Sequence, residues 1–319
     1  MTDFTAAELH AKPATFMGAP HTLDLTGAKA AVLGIPFDCG IHPFRIGSRQ
    51  GPQAIRHQSQ LVRPFNSELA DFDPVARLGL VDRGDVRLTP SRIVDAFARI
   101  EAACDAIHAA KAIPVTMGGD GSVSLPQLRA AARHHKGLVV LHLDAHTDSY
   151  PWAEPEKYNA ATQFTHAAEE QVISATRSYH LGIRGTTYTA GVLGHTKSLG
   201  YNVVTMRELL ARGFDDVLAE IRGAMAGRPV YLCIDMDVFD PACAPGVATP
   251  SWGGFSAREG IDFIRRIAAL ELNVVAVDVN TVSPPHDVAG MTAFLAAYVL
   301  YESLVLLCRR LGLDDPAAA

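Results

Sequence analysis

Between Leu138 and Tyr150 the chain passes without a break from an apolar run of strand formers into three potential metal ligands at alternate positions, Asp144, His146 and Asp148. The apolar half is the pattern of a strand buried on both faces, as in a parallel sheet. In an extended chain, residues two apart point to the same side. The three groups are therefore expected to converge at the end of a core strand. A lone Asp in such a place is ordinarily a turn former or a helix cap. Two carboxylates and an imidazole together are different, because in a buried place they repel or stay unpaired unless a cation neutralises them.

The remainder of the chain supplies strands for such a sheet. Lys29 to Pro36 reads as the first strand, and a looping segment rich in Gly and Arg leads to a short helix from Pro52 to Gln58. Leu78 to Asp82 is a short strand. Ser91 to Ala112 has helical spacing, with Ser91 placed to cap it. Strands follow at Ile113 to Met117, Ser178 to Ile183, Pro229 to Ile234 and Asn273 to Val277. Helices are expected at Leu125 to His134, Met206 to Ala211, Phe214 to Ala226 and Ala257 to Ala269. A long apolar helix, Met291 to Leu311, ends before Gly312, a natural stop. This alternation predicts an α/β fold of three layers, with a mainly parallel central sheet covered by helices on both faces. No composition shift marks a linker. Residues 1–28 are weakly patterned and read as an N-terminal arm, and residues 29–319 as a single domain.

Composition narrows the functional classes. A chain of 319 residues with 48% hydrophobic and 19% charged residues can build a substantial core. A net charge of −6, without long runs of one sign, offers no footprint for nucleic acid or an anionic membrane. No targeting segment and no apolar run long enough to span a bilayer are read from the sequence. The five cysteines form no C-x-x-C pair, so free thiols in a reducing cytoplasm are expected.

Ligands of open α/β sheets sit beyond the carboxyl ends of the strands. Three strands here end in acidic residues: at Asp120, at Asp144 to Asp148, and at Asp235 and Asp237. Few Lys or Arg residues lie nearby to pair with them. Many carboxylates with one imidazole suit a hard or borderline cation, manganese or nickel, better than a thiolate-bound zinc. Two ions can share Asp144 and Asp235 as bridges, an arrangement that generates hydroxide at neutral pH.

These motifs resemble those of the ureohydrolase superfamily, the arginases and agmatinases, from about Ala30 to Leu311, and most closely the agmatinase-like branch. Gly34-Ile35-Pro36-Phe37-Asp38 resembles its N-terminal signature. Gly118-Gly119-Asp120, Asp144-Ala145-His146-Thr147-Asp148 and Asp235-Met236-Asp237-Val238-Phe239-Asp240-Pro241 resemble its metal motifs. Ala244-Pro245-Gly246 and Val282-Ser283-Pro284-Pro285 resemble the segments that follow. The resemblance implies an arginase-like fold and hydrolysis of a guanidinium group to urea and an amine at a two-metal centre. It implies that Asp144, His146, Asp235 and Asp237 hold one ion. Asp144, Asp148 and Asp235 would contribute to the other.

Three departures qualify it. Gly121 stands where the family has a metal-ligating His. Ala160 stands where a His aids proton transfer, although His166 lies a little further on as a substitute. Thr281 stands where a Glu binds the substrate guanidinium. No catalytic set is intact, and at most one tightly bound divalent ion, nickel or manganese, is expected per chain. The combination resembles the accessory subunit of heteromeric amidinohydrolases such as metformin hydrolase. It implies a non-catalytic or strongly impaired subunit, with a catalytically competent paralogue as partner in a hetero-hexamer. An active single-metal or divergent-substrate hydrolase and a small-molecule sensor are the alternatives.

Overall fold

Alternate residues of the strands feed two separate hydrophobic clusters, and this sets the layering. In the computed structural model, which describes residues 14–315 except 41, 42, 68, 155 and 156, Val139, Leu141 and Leu143 face one cluster while Leu138 and Val140 face the other. The same split holds for Ala30 and Val32 against Ala31 and Leu33. A strand apolar on both sides must be covered on both sides. The helices Met291–Arg310, Ala257–Ala268, Phe214–Met225 and Gly51–Ser59 contribute to one cluster, and Ile93–Ala109 and Ser124–His134 to the other.

The strands are β1 (Ala30–Gly34), β2 (Val81–Asp85), β3 (Ile113–Met117), β4 (Val139–Leu143), β5 (Tyr179–Ile183), β6 (Asn202–Thr205), β7 (Pro229–Asp235) and β8 (Asn273–Asn280). They form one eight-stranded sheet in the order β2-β1-β3-β8-β7-β4-β5-β6. Every pairing in it is parallel. The expected α/β architecture is therefore the observed one. Its four central strands, β3, β8, β7 and β4, all end on the same edge, and their following loops form a single concave surface.

Several local expectations change. Ser91 is not the cap of its helix, which begins at Ile93 with Arg92 as N-cap and no side-chain capping bond. The strand β6 and the helix Val192–Ser198 were not foreseen from the sequence. The helix Met291–Arg310 is long and apolar enough to cross a bilayer by length and composition alone, which corrects the expectation that no such run exists. It packs instead against the helices Ala257–Ala268 and Gly51–Ser59. Its buried Glu302 accepts from Arg265 Nη2 at 2.6 Å. Gly312, with φ of +66°, lets the chain close that helix: Gly312 N–H donates to Arg309 O and Leu313 N–H to Cys308 O. Of the expected N-terminal arm, residues 1–13 lie outside the described residues, and Phe16 is fully buried in the core.

Candidate metal centre

The strand that carries the first ligands stops sooner than the sequence pattern implies. β4 ends at Leu143, and Asp144, His146 and Asp148 belong to the loop beyond it. The strand pleat therefore does not align them. Asp148 adopts φ of +47° and lines the cavity, its carboxylate held by Gln163. β7 likewise ends at Asp235, whose side chain accepts from the Asp237 amide at 2.8 Å in a tight turn over Met236–Val238. The predicted residues do meet, through loop turns anchored on neighbouring strands rather than through a period of two.

His146, Asp148, Asp235 and Asp237 line a cavity of about 470 Å³, and Asp144 lies fully buried behind them. His146 Nδ1 is 3.1 Å from Asp237 Oδ2 and 3.3 Å from Asp144 Oδ1. Asp144, His146 and Asp237 each offer a ligating atom within 4.8 Å of the others. Ala145 N–H donates to Asp237 Oδ1 at 3.0 Å, and His146 N–H to Asp144 Oδ1 at 2.6 Å. Asp144 Oδ2 has no hydrogen bond; His142 Nε2 approaches it at 3.0 Å without the alignment of one.

The electrostatics are those of crowded anions. Burial and the neighbouring carboxylates push Asp148 and Asp235 well above the usual carboxylate range, and Asp237 up to about 6. Burial acts the same way on Asp144, but His142 and His146 beside it hold its carboxyl well below that range. Burial alone would lower His146, yet the charges of Asp237 and Asp144 raise it well above its ordinary value. Four buried carboxylates with His146 in their midst and His142 at their edge are a donor set that fits a divalent cation, and His142, Asp144 and Asp148 also offer ligating atoms within 4.8 Å of one another. Asp144, His146 and Asp237, with Asp235 beside them, are the residues that would hold it.

Asp120 is a different case. Its oxygens accept from Cys39 N, Gly40 N and Ser122 N and Oγ, so it ties the loop after β3 to the loop after β1. Gly119 sits in the same junction, where a Cβ would lie 1.5 Å from Phe37 O. His166 does not take the role that the resemblance gives to an imidazole at position 160. It is buried between Trp152 and Tyr158, with Nε2 2.7 Å from Lys157 O, and is not among the residues lining the cavity. Ala160 and Thr281 do line it.

The sequence reading missed three contributors. His142 is buried in β4 with Nδ1 2.8 Å from His180 Nδ1; a lone imidazole in an apolar strand was the available signal. Arg184 Nη2 donates to the carbonyls of Asp237 and Ser251 and so clamps the loop after β7, with no local motif to announce it. Gln163 Nε2 donates to Asp148 Oδ2 at 2.5 Å.

Comparison with known proteins agrees with this architecture. The profile of the arginase family matches residues 28–306. The guanidinobutyrase of Pseudomonas aeruginosa is 36% identical over 299 residues, covering 92% of each chain. The guanidinopropionase of the same organism is 36% identical over 296 residues, covering 92% of this chain and 91% of its own. The solved structure of proclavaminate amidinohydrolase from Streptomyces clavuligerus superposes with a TM-score of 0.89 at 35% identity, covering 94% of this chain and 98% of that one. With its strand order, its acidic loops and near-complete matches in sequence and structure all in agreement, the chain belongs to the arginase family.

Proposed function

We propose that the protein is a subunit of a metal-dependent amidinohydrolase assembly that converts a guanidine or biguanide to urea and an amine, and that it contributes little hydrolysis by itself. The observation that carries this reading is the wall of the cavity around Asp148 and Asp235. It presents Ala160 and Thr281 where the resemblance puts a proton-carrying imidazole and a guanidinium-binding carboxylate, and Gly121, whose Cβ position is 2.9 Å from Asp148 Oδ2, stands where it puts a metal-ligating imidazole. A bound divalent ion supplies Lewis-acid activation of water. Asp144, His146, Asp235 and Asp237 would hold that ion. Nothing at position 160 moves a proton, and removing a general acid or base costs roughly a hundredfold or more in rate. Thr281 offers a hydroxyl where a guanidinium cation calls for a charged, bidentate partner.

The partner in this reading is a paralogue carrying His, His and Glu at the three corresponding positions, assembled with this chain as a hetero-hexamer. The metal is nickel or manganese, and the compartment is the cytoplasm, a placement supported by five free thiols. The test is urea release from agmatine, guanidino acids and biguanides, by the purified chain alone and after co-expression with such a paralogue. Turnover only in the co-expressed complex is expected. Robust urea release by the lone chain overturns the reading.

One observation favours a second reading, an active single-ion or divergent-substrate hydrolase. The cavity is open to His146 and lined by Tyr150, Tyr158 and Tyr188, space enough for a bulky or weakly basic guanidine. The same assay separates the two.

A further inference from the structure

The Gln163 side chain occupies the space that a side chain at position 121 would need. A Cβ on Gly121 would lie 2.6 Å from Gln163 Nε2, 2.9 Å from Asp148 Oδ2 and 3.2 Å from Ala160 O. Gln163 is only 2% exposed, and its one hydrogen bond through Nε2 goes to Asp148. Its Oε1 has no partner, so the amide is held in place by that donated bond.

Across the cavity Thr281 does the same for Asp235. Its hydroxyl lies against Asp235 Oδ1 and, at 2.8 Å, Asn280 O, its one proton shared between the two acceptors. Thr281 adopts φ of +64°, which a β-branched residue rarely tolerates. Its amide is pinned to Gly119 O at 2.7 Å, holding the hydroxyl on the carboxylate. Strain of this kind persists only where the surroundings impose it.

Among the carboxylates that the resemblance assigns to the second ion are Asp148, which serves that ion alone, and Asp235, which it shares with the first. Each is met here by a neutral donor from the protein. A buried carboxylate needs either a cation or hydrogen bonds, and these have been given hydrogen bonds. A cation entering between them has to displace the Gln163 amide and the Thr281 hydroxyl. It then finds no imidazole at position 121.

We infer that the Gln163 amide takes the place of the second cation at Asp148, with the Thr281 hydroxyl on the shared Asp235, locking the chain in a one-ion state. Gln163 is thus a positioning residue for Asp148, and the loss at Gly121 is accommodated by a specific neighbour. The inference rests on reading the site as an amidinohydrolase metal centre, but not on the chain being inactive.

The test is metal stoichiometry of the full-length protein, titrated with Mn²⁺ or Ni²⁺ and read by calorimetry and by elemental analysis after desalting. Wild type is expected to take up about one ion per chain. The double variant Gly121→His/Gln163→Ala is expected to gain a second, separate binding phase. If that variant does not fold, judged by circular dichroism, Gln163→Ala alone is titrated. It should show a second, weaker uptake phase that wild type lacks, because removing the amide frees Asp148 Oδ2 as a ligand. Two tightly held ions in wild type overturn the inference, and loss of one of them in Gln163→Ala makes Gln163 a ligand. Unchanged stoichiometry, with no second phase in either variant, also overturns it. One ion together with robust urea release refutes the inactive-subunit reading and leaves this inference standing. Two ions with no urea release does the reverse.

Discussion

His146 Nδ1 stands 3.1 Å from Asp237 Oδ2, joining the loop that leaves β4 to the turn that leaves its neighbour β7. The same nitrogen is 3.3 Å from Asp144 Oδ1, so one imidazole faces two carboxylates that a shared cation would otherwise separate. His146→Ala removes the nitrogen that lies between Asp144 and Asp237. It is expected to weaken Mn²⁺ or Ni²⁺ binding by at least about 10–100-fold. A chelator should lower the melting temperature of wild type but leave that of the variant unchanged. Equal metal affinity in the two proteins would place the ion elsewhere.

Restoring the family's histidine alone should fail. In Gly121→His the new side chain meets Gln163 Nε2 at 2.6 Å and Asp148 Oδ2 at 2.9 Å. Overpacking of this order costs about 1–3 kcal/mol, visible as a melting temperature lower by a few degrees. No urea release is expected, because Ala160 and Thr281 are unchanged. Appreciable rescue by this single substitution would show that those two positions matter less than argued.

Away from the cavity, Arg56 meets Asp82 through two bonds, Nε to Oδ2 at 2.8 Å and Nη2 to Oδ1 at 2.9 Å. Phe16 N–H adds a third bond to Asp82. Burial alone would raise the Asp82 carboxyl, but the Arg56 bonds and charge outweigh it and hold it below its ordinary value. A depressed native value stabilises the fold fully above the unfolded pKa of about 3.9, and that contribution is lost as pH falls through the native one. Denaturation midpoints should therefore drop below about pH 4, less steeply in Asp82→Asn. Arg56→Ala leaves a buried carboxylate unpaired and should cost about 3–5 kcal/mol at neutral pH. A neutral-pH loss below 1 kcal/mol, within the range of surface pairs, would contradict the buried pairing.

Gly119→Ala should be among the most damaging single-atom changes in the chain. Its Cβ would fall 1.5 Å from Phe37 O, and Asp120 N–H donates to that same carbonyl at 3.0 Å. Backbone cannot yield as a side-chain end can. Insoluble expression, or a loss above about 4 kcal/mol, is expected. Ala at position 223, where a Cβ meets nothing within 4 Å, is the control.

The layering was legible in the sequence because burial on both faces leaves β4 and β7 without polar alternation, and a chain of such strands and helices has few ways to cover them. Gly312 announced its own helix end, since its positive φ is a local requirement. Ser91 misled, because its capping chemistry is equally local but the helix starts too late for it to reach. β6 has only four residues, and its burial depends on pairing with β5 rather than on a pattern of its own.

At the site, the sequence alone named Asp144, His146, Asp148, Asp235 and Asp237 as candidate ligands and pointed to Gly121, Ala160 and Thr281 as departures from the pattern it resembles, but it did not point to His142. It also suggested a wrong cause for the convergence of Asp144, His146 and Asp148. An alternation of two aligns side chains only while the strand lasts, and β4 stops at Leu143. Only the tertiary structure decided that Asp148, beyond the end of β4, still lines the cavity, that His166 packs away from it, and that Gln163 reaches Asp148. These are contacts between loops from different strands, and no spacing along the chain encodes the distance between loops.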